Sequence, residues 1–326
     1  MNSLYYSGVK LLSGNSHREL AESIAKILRV SLVDAEVKKF SDGEISVNVN
    51  ESVRGSDIFI FQSTSSPVND NLMELLIMID AMKRASAGRI NAVIPYYGYA
   101  RQDRKTKARD PISAKLVANL ITAAGADRVI SMDLHCAQIQ GFFDIPVDHL
   151  VGMTMFRDHY IKKFKDMSNV VVVSPDLGST GRARHLADSI HSTVAIVDKK
   201  RDKPNESKVM NLIGDVKGKT AIMIDDMIDT GGSIVNAAEA IMEAGAKEVH
   251  VCCTHGVFSG KALERIKDSC IAELIVLDTI APKNDAKNIE KIKYLSVAYE
   301  FAEAISRIHD GRSMSEMFDE PNVRYQ

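Results

Sequence analysis

The stretch Lys219-Thr-Ala-Ile-Met-Ile-Asp225-Asp226-Met-Ile-Asp229-Thr230-Gly231-Gly232-Ser233 restricts the possible folds of this chain more than any other. A short apolar run, Ala221 to Ile224, reads as a buried strand that stops at two adjacent carboxylates. Asp229 to Ser233 then supplies small, conformationally permissive residues, and a helical pattern begins with Ile234, Val235, Ala238, Ile241 and Met242. Gly245 closes that helix as a C′ glycine. A strand, a glycine turn and a helix N-terminus form an anion site, because free backbone N–H groups converge where the helix dipole favours negative charge. Asp225 and Asp226 would repel a bare phosphate, so they make sense as holders of sugar hydroxyls or of a metal-bound ligand. Phosphate plus diol means a phosphorylated sugar. The alternative is a plain βα turn in which Thr230 or Ser233 caps the helix and the acids are solvated.

A chain of 326 residues suits two domains rather than one, and its 45% apolar fraction is ordinary for packed cores. The net charge of −2 points to no nucleic-acid or bulk membrane binding, so any anion site must be local. Cys136, Cys252, Cys253 and Cys270 form no CxxC and no metal-ligand spacing. Cys252 and Cys253 would point to opposite faces of a strand, which predicts core thiols in a reducing compartment. Met1-Asn2-Ser3 leads into a mixed segment rather than a signal peptide, and no apolar run approaches the ~18 residues of a spanning helix. A cytoplasmic protein is expected.

Strand-like and helix-like runs alternate along the chain. In the first half, strands are predicted over 9–12, 34–39, 45–50, 57–61, 89–95 and 129–132, with helices over 16–29, 69–84 and 113–124. The Asp42-Gly43 pair marks a tight turn between the second and third strands. In the second half, strands over 168–173 and 194–198 flank a helix over 183–190. A polar, Lys/Arg-rich loop over 199–208 precedes the opening strand, and a last strand over 249–253 reaches Thr254-His255. Such alternation predicts parallel sheets with right-handed crossovers. Gly125-Ala126 leads through a strand to His135, and Gly245-Ala246 leads through another to His255, 120 residues later. That spacing suggests two similar domains joined near Leu150–Gly152, with a non-helical tail from Asp310 packing back on the first.

Two acids, two residues and Asp-Thr-Gly-Gly-Ser after an apolar strand resemble the phosphoribosyl diphosphate loop of type I phosphoribosyltransferases. Longer motifs narrow the resemblance: Glu51-Ser-Val-Arg-Gly55, Asn69 to Met78, Arg101-Gln102-Asp103 through Lys115, Asp133-Leu-His135 and Gln138 to Asp148. Over essentially its whole length the chain resembles the ribose-phosphate pyrophosphokinase (PRPP synthetase) family. The resemblance implies an α/β fold of two tandem type I phosphoribosyltransferase-like domains, each a mainly parallel sheet flanked by helices. Residues 1–150, with the tail 310–326, would form the ATP side, and 151–309 the ribose 5-phosphate side.

The reaction so implied transfers the β,γ-diphosphoryl group of Mg·ATP to the C1 hydroxyl of ribose 5-phosphate, giving PRPP and AMP. Asp225 and Asp226 would hold ribose hydroxyls, while Asp229, Thr230, Gly231, Gly232 and Ser233 wrap the 5-phosphate. Asp176 and His135 would be associated with Mg²⁺. Lys199 and Arg201 would be catalytic, neutralising charge on the transferred group from a closing loop. Phe40, Asp42, Gly43 and Glu44, supplied by a neighbouring subunit, would meet adenine, with Arg101 and Gln102 on the ribose and phosphates of ATP. Dimers built into a homohexamer are implied, as are phosphate and ADP as effectors near Ser52, Arg54, Ser313 and Phe318. No Walker A motif is present, since Gly256-Val-Phe-Ser-Gly260-Lys261 falls one residue short.

Three residues depart from the family pattern. Ser179 stands where a second glycine is usual, Asp110 adds a charge, and Ser233 replaces a common Thr while keeping the hydroxyl. Two rival functions share parts of this pattern. A PRPP-consuming phosphoribosyltransferase needs only one such domain and no ATP site. A non-catalytic regulatory subunit would be expected to have lost the loop cations or His135, which are present.

Overall fold

Asp57-Ile-Phe-Ile-Phe61 and Val170-Val-Val-Val-Ser174 have no polar alternation, which suits strands covered by helices on both faces. In the computed structural model, which describes residues 8–200 and 209–317, both are fully buried strands in separate compact units. The first unit takes in 8–151, 279–281 and 296–317; the second takes in the described residues of 152–278 together with 282–295.

The first unit runs β1 (Val9–Ser13), α1 (Arg18–Leu28), β2 (Ala35–Lys39), β3 (Ile45–Val49), β4 (Asp57–Phe61), α2 (Val68–Arg84), β5 (Arg89–Ile94), α3 (Ser113–Ala124), β6 (Arg128–Met132) and β7 (Val147–Leu150). Its parallel sheet has the order β1-β4-β5-β6-β7. Outside β1 lies a single parallel bridge, Leu11 to Leu32, with Val33 N–H donating to Leu11 C=O at 2.8 Å. The chain then leaves the sheet as the antiparallel hairpin β2–β3, closed at Lys39 opposite Ile45. Gly125 (φ 119°) ends α3 in the left-handed region that glycine tolerates.

The second unit runs α4 (Met153–Lys163), β8 (Val170–Ser174), α5 (Thr180–Ser189), β9 (Thr193–Lys200), β10 (Val209–Ile213), β11 (Thr220–Ile228), α6 (Gly232–Glu243), β12 (Glu248–Gly256), α7 (Ala262–Asp268), β13 (Ile271–Leu277), α8 (Asn284–Lys287) and β14 (Ile292–Leu295). Its sheet order is β10-β9-β8-β11-β12-β13-β14, parallel except for β10. Val171, Val173, Met223, Val251 and Cys253 on one face pack with Ile234, Ala238 and Ile241 of α6. Cys252 faces the other way, so the adjacent thiols do part to opposite faces. Only these two cysteines are core residues, however; Cys136 is half-buried and Cys270 exposed.

A final helix, α9 (Ala298–Asp310), belongs to the first unit, where it packs on α1 through Phe301, Ala302, Ile305 and Ile308. The expected division left this helix with the second domain. Its place follows from a buried anchor: Asp57, at the amino end of β4, binds Arg89 and the Nδ1 of His309 at 2.9 Å. Arg89 also donates to Ile308 C=O at 3.1 Å.

Three further expectations change. β11 does not stop at Ile224; it continues through both carboxylates because β12 is equally long and pairs Asp225 with Cys253 and Met227 with His255. Lys199 and Lys200 are strand residues, not loop residues, since β10 pairs across them, Met210 opposite Lys199. The 120-residue repeat is out of step. Ordered from the edge strand, Leu32-β1-β4-β5-β6-β7 matches β9-β8-β11-β12-β13-β14, which sets β6 against β13 rather than β12.

Candidate active site

In a sheet whose strand order reverses, the crevice lies beyond the carboxyl ends of the two strands at the reversal. In the second unit these are β8 and β11, and their pairing ends at Val173–Met223. Asp225 and Asp226 stand just past that point, still held on the other side by β12. Asp226 is buried, at 4% exposure, and Asp225 is half-buried. Two carboxylates side by side in so dry a place cannot both ionise freely. Burial, then the neighbouring Asp226, pushes the Asp225 carboxyl up to about 7, against the opposing pull of Arg182 and the Ser179 hydroxyl. Arg182, in the first turn of α5, lies 3.6 Å from Asp225 Oδ1 and 3.5 Å from Asp226 Oδ1. It was not singled out in the sequence. The available signal was an arginine in the first turn of the helix after the Asp176 loop, followed two residues later by Arg184.

Beyond β11, Gly231 (φ 75°) turns the chain in the left-handed region and α6 starts at Gly232, two residues before the first apolar position of the predicted pattern. No side chain caps this helix. The first-turn amides of Gly232, Ser233 and Ile234 therefore have no intrahelical acceptor and remain available to an anion. With no side-chain cap and a buried Asp226, the alternative of a capped turn with solvated acids fails on both counts. The turn is braced from outside the helix. Arg265 donates to Thr230 C=O at 2.8 Å, Ser259 N–H to Asp229 C=O at 2.9 Å, and a Cβ on Gly231 would come within 3.3 Å of the Ala262 backbone. Asp229, Thr230, Gly231, Gly232 and Ser233 thus lie in one turn directly after the Asp225–Asp226 strand.

The β8–α5 loop carries Asp176 and Ser179. Ser179 N–H donates to Asp176 Oδ1 at 3.0 Å, and the Ser179 hydroxyl donates to Asp225 Oδ1 at 2.9 Å. Ser179 has φ −90°, so the position makes no demand for glycine and the serine is unstrained. Lys199 lies near the end of β9; Arg201 falls outside the described residues.

In the first unit, the β2–β3 turn holds Phe40, Asp42, Gly43 and Glu44. Phe40 N–H donates to Glu44 C=O at 2.8 Å, Asp42 Oδ1 accepts from Glu44 N–H at 3.1 Å, and Gly43 (φ 96°) closes the bend. Phe40 is 58% exposed, so its ring does nothing for the packing of its own unit. Arg101 and Gln102 are exposed on the loop after β5, where Gln102 C=O accepts from Ala114 N–H at 3.2 Å. Asp110 is turned inward, accepting from Thr106 Oγ1 and Lys107 N–H at 2.7 Å, so its added charge is spent within the loop. His135 follows β6 on a loop where Asp133 sits at φ 41°, and His149 Nε2 accepts from Leu134 N–H at 2.9 Å. His149, unnoticed in the sequence, therefore sets the course of the His135 loop. Ser52, Arg54 and Ser313 are all exposed. The Asp57–His309 contact draws their two segments to the amino end of β4. Phe318 lies outside the described residues.

Among the described residues no group of three or more His, Cys, Asp or Glu side chains could hold a metal unaided. A magnesium ion shared with a ligand's phosphates needs only one or two carboxylates, and half-buried Asp176 meets that requirement.

Residues 9–125 match a family described as the N-terminal domain of ribose phosphate pyrophosphokinase, and residues 198–319 match the phosphoribosyl synthetase-associated domain. A ribose-phosphate pyrophosphokinase of Clostridium tetani is 64% identical over 312 residues, 95% of this chain and 97% of the relative. One from Bacillus caldolyticus is 57% identical over 95% of this chain and 98% of its own. The crystal structure of phosphoribosylpyrophosphate synthetase from Mycobacterium smegmatis superposes with a TM-score of 0.89 at 44% identity, covering 94% of this chain and all of that one.

Proposed function

The chain belongs to the ribose-phosphate pyrophosphokinase family, and on that premise we propose that it transfers the β,γ-diphosphoryl group of Mg·ATP to the C1 hydroxyl of ribose 5-phosphate. The C1 oxygen bonds to the β-phosphorus, the bond from that phosphorus to the α,β-bridging oxygen breaks, and the products are PRPP and AMP. The observation that carries this reading is the Asp225–Asp226 pair at the end of β11, directly before the uncapped N-terminus of α6. Carboxylates accept hydrogen bonds from a diol, and helix amides take a phosphate.

On this reading Asp225 and Asp226 orient the ribose, and residues 229–233 hold its 5-phosphate. Phe40, Asp42, Gly43, Glu44, Arg101 and Gln102 receive ATP. Lys199 and Arg201 place positive charge on the migrating group, where preorganised charge lowers the barrier most. Asp176 and His135 would hold Mg²⁺, which when bound shields the phosphate charge. We assign the enzyme to nucleotide biosynthesis in the cytoplasm as a homohexamer, with phosphate and ADP acting near Ser52, Arg54 and Ser313. The test is AMP formation from ATP by the purified chain. It should require both ribose 5-phosphate and Mg²⁺. AMP release without the sugar phosphate, or nucleoside monophosphate made from PRPP and a free base, would replace this reading with hydrolysis or phosphoribosyl transfer.

A further inference from the structure

Ser179 occupies the N-cap position of α5, where a serine hydroxyl ordinarily accepts a hydrogen bond from a first-turn N–H. Here no side-chain cap forms. The hydroxyl instead reaches across to another strand and donates to Asp225 at 2.9 Å, in a nearly closed environment with Ser179 only 6% exposed. The same residue's N–H holds Asp176 at 3.0 Å. One residue thus joins the loop after β8 to the carboxylate at the end of β11.

Among the described residues, the loop after β8 and the backbone of β11 both donate to the same oxygen of Asp225. The Ser179 hydroxyl and Asp226 N–H donate to Oδ1, each at 2.9 Å, and Arg182 stands 3.6 Å from the same atom. With Oδ1 engaged from both the loop and the backbone, the orientation of the carboxylate is set. A glycine, usual at this place by the resemblance, has no hydroxyl to do this.

We propose that Ser179 is a positioning residue for the sugar phosphate: it orients Asp225 toward the ribose hydroxyls and ties that orientation to the Asp176 loop. The assignment rests on the reading of Asp225 as a ribose ligand. It predicts a selective effect. Removing the hydroxyl weakens ribose 5-phosphate binding and leaves the ATP side as it was.

The test compares Ser179→Ala, Ser179→Gly, Ser179→Thr and Asp225→Asn in the full-length enzyme. Steady-state constants are measured for each substrate, and ribose 5-phosphate binding is measured by titration calorimetry. Ser179→Ala and Ser179→Gly should raise both KM and Kd for ribose 5-phosphate by roughly 3- to 10-fold, the range of one ordinary hydrogen bond lost behind the ligand. Their KM for ATP and their kcat should stay within about twofold. Ser179→Thr, which keeps the hydroxyl, should restore ribose 5-phosphate affinity, separating positioning from a general loosening of the loop. Wild-type affinity in Ser179→Ala beside a large loss in Asp225→Asn overturns this proposal alone. Unchanged affinity in Asp225→Asn overturns the ribose assignment and the proposal with it. Equal rises in both substrates' KM values for Ser179→Ala would mark the hydroxyl as structural and also overturn it.

Discussion

The two units share one topology but treat the strand-reversal crevice in opposite ways. In the second unit the loop after β8 and the end of β11 carry Asp176, Asp225 and Asp226, and the bare N-terminus of α6 follows directly. At the matching place in the first unit, beyond β1 and β4, a carboxylate of the chain's own lies against the loop. Glu74 of α2, only 5% exposed, accepts from Asn15 N–H at 2.6 Å, from Asn15 Nδ2 at 2.9 Å and from Gln62 Nε2 at 2.8 Å. An internal carboxylate thus takes the loop amide that a phosphate could otherwise bind. A Cβ on Gly14 would press on the side-chain ends of Gln62 and Glu74, so any larger residue there displaces that pair. Asn15 also donates to Val37 C=O at 3.0 Å, and Lys39 pairs with Asp70 of α2. These two contacts anchor the hairpin that bears Phe40. One crevice thus carries a carboxylate pair before a bare helix N-terminus, and the other an internal carboxylate that braces its loop.

The contrast can be broken by substitutions on either side, and the largest effect belongs to the second unit. Lys199→Ala should lower kcat by about a thousandfold or more while ribose 5-phosphate KM moves only a few-fold, as for a group that acts on transition-state charge. Unchanged turnover would remove its catalytic role. Asp225→Asn should lower kcat/KM for ribose 5-phosphate by roughly a hundredfold, since one acceptor becomes partly a donor. Calorimetric melting should also show it more stable than the parent, by roughly 1–2 kcal/mol, because a carboxylate strained by burial and by Asp226 is gone. A variant that is both inactive and less stable would argue against strain at this pair.

In the first unit the expected effect is mechanical. Glu74→Ala should destabilise the protein by about 3 kcal/mol, as a buried acceptor shared by three donors is removed. It should raise ATP KM through the loosened hairpin and leave ribose 5-phosphate KM alone. A change confined to ribose 5-phosphate would contradict the division of labour between the units.

The smallest effect is a pH dependence peculiar to the open crevice. With its carboxyl pushed up to about 7, Asp225 accepts most strongly from ribose hydroxyls when ionised, so ribose 5-phosphate KM should rise several-fold as pH falls below that value. Folding follows the opposite sign. A raised carboxyl pKa gives stability that is full below the ordinary value of 3.8 and lost as pH climbs through about 7. Both profiles should flatten in Asp225→Asn.

The paired acids, the glycine turn and the helix after it were legible in the sequence because they depend on neighbours within about fifteen residues. The Asp42-Gly43 hairpin was legible for the same reason. The extension of β11 was not, because a pair of aspartates breaks an apolar run unless a long partner strand is present to continue the ladder. Nor was the strand character of Lys199, which needs β10 beside it. The match between Gly125–His135 and Gly245–His255 misled because a helix, a glycine and a strand recur at every βα step; only the strand order tells which step is which.

The sequence by itself determined the α/β class, the family and the residues at the β11 turn, since hydrophobic period, turn chemistry and motif spacing are local properties. Tertiary structure alone decided that Ser179 and Arg182 close on Asp225, that Glu74 braces the loop after β1, and that α9 belongs with β4. Those outcomes join residues from 43 to 252 positions apart, and such contacts exist only once the sheets bring strand ends together.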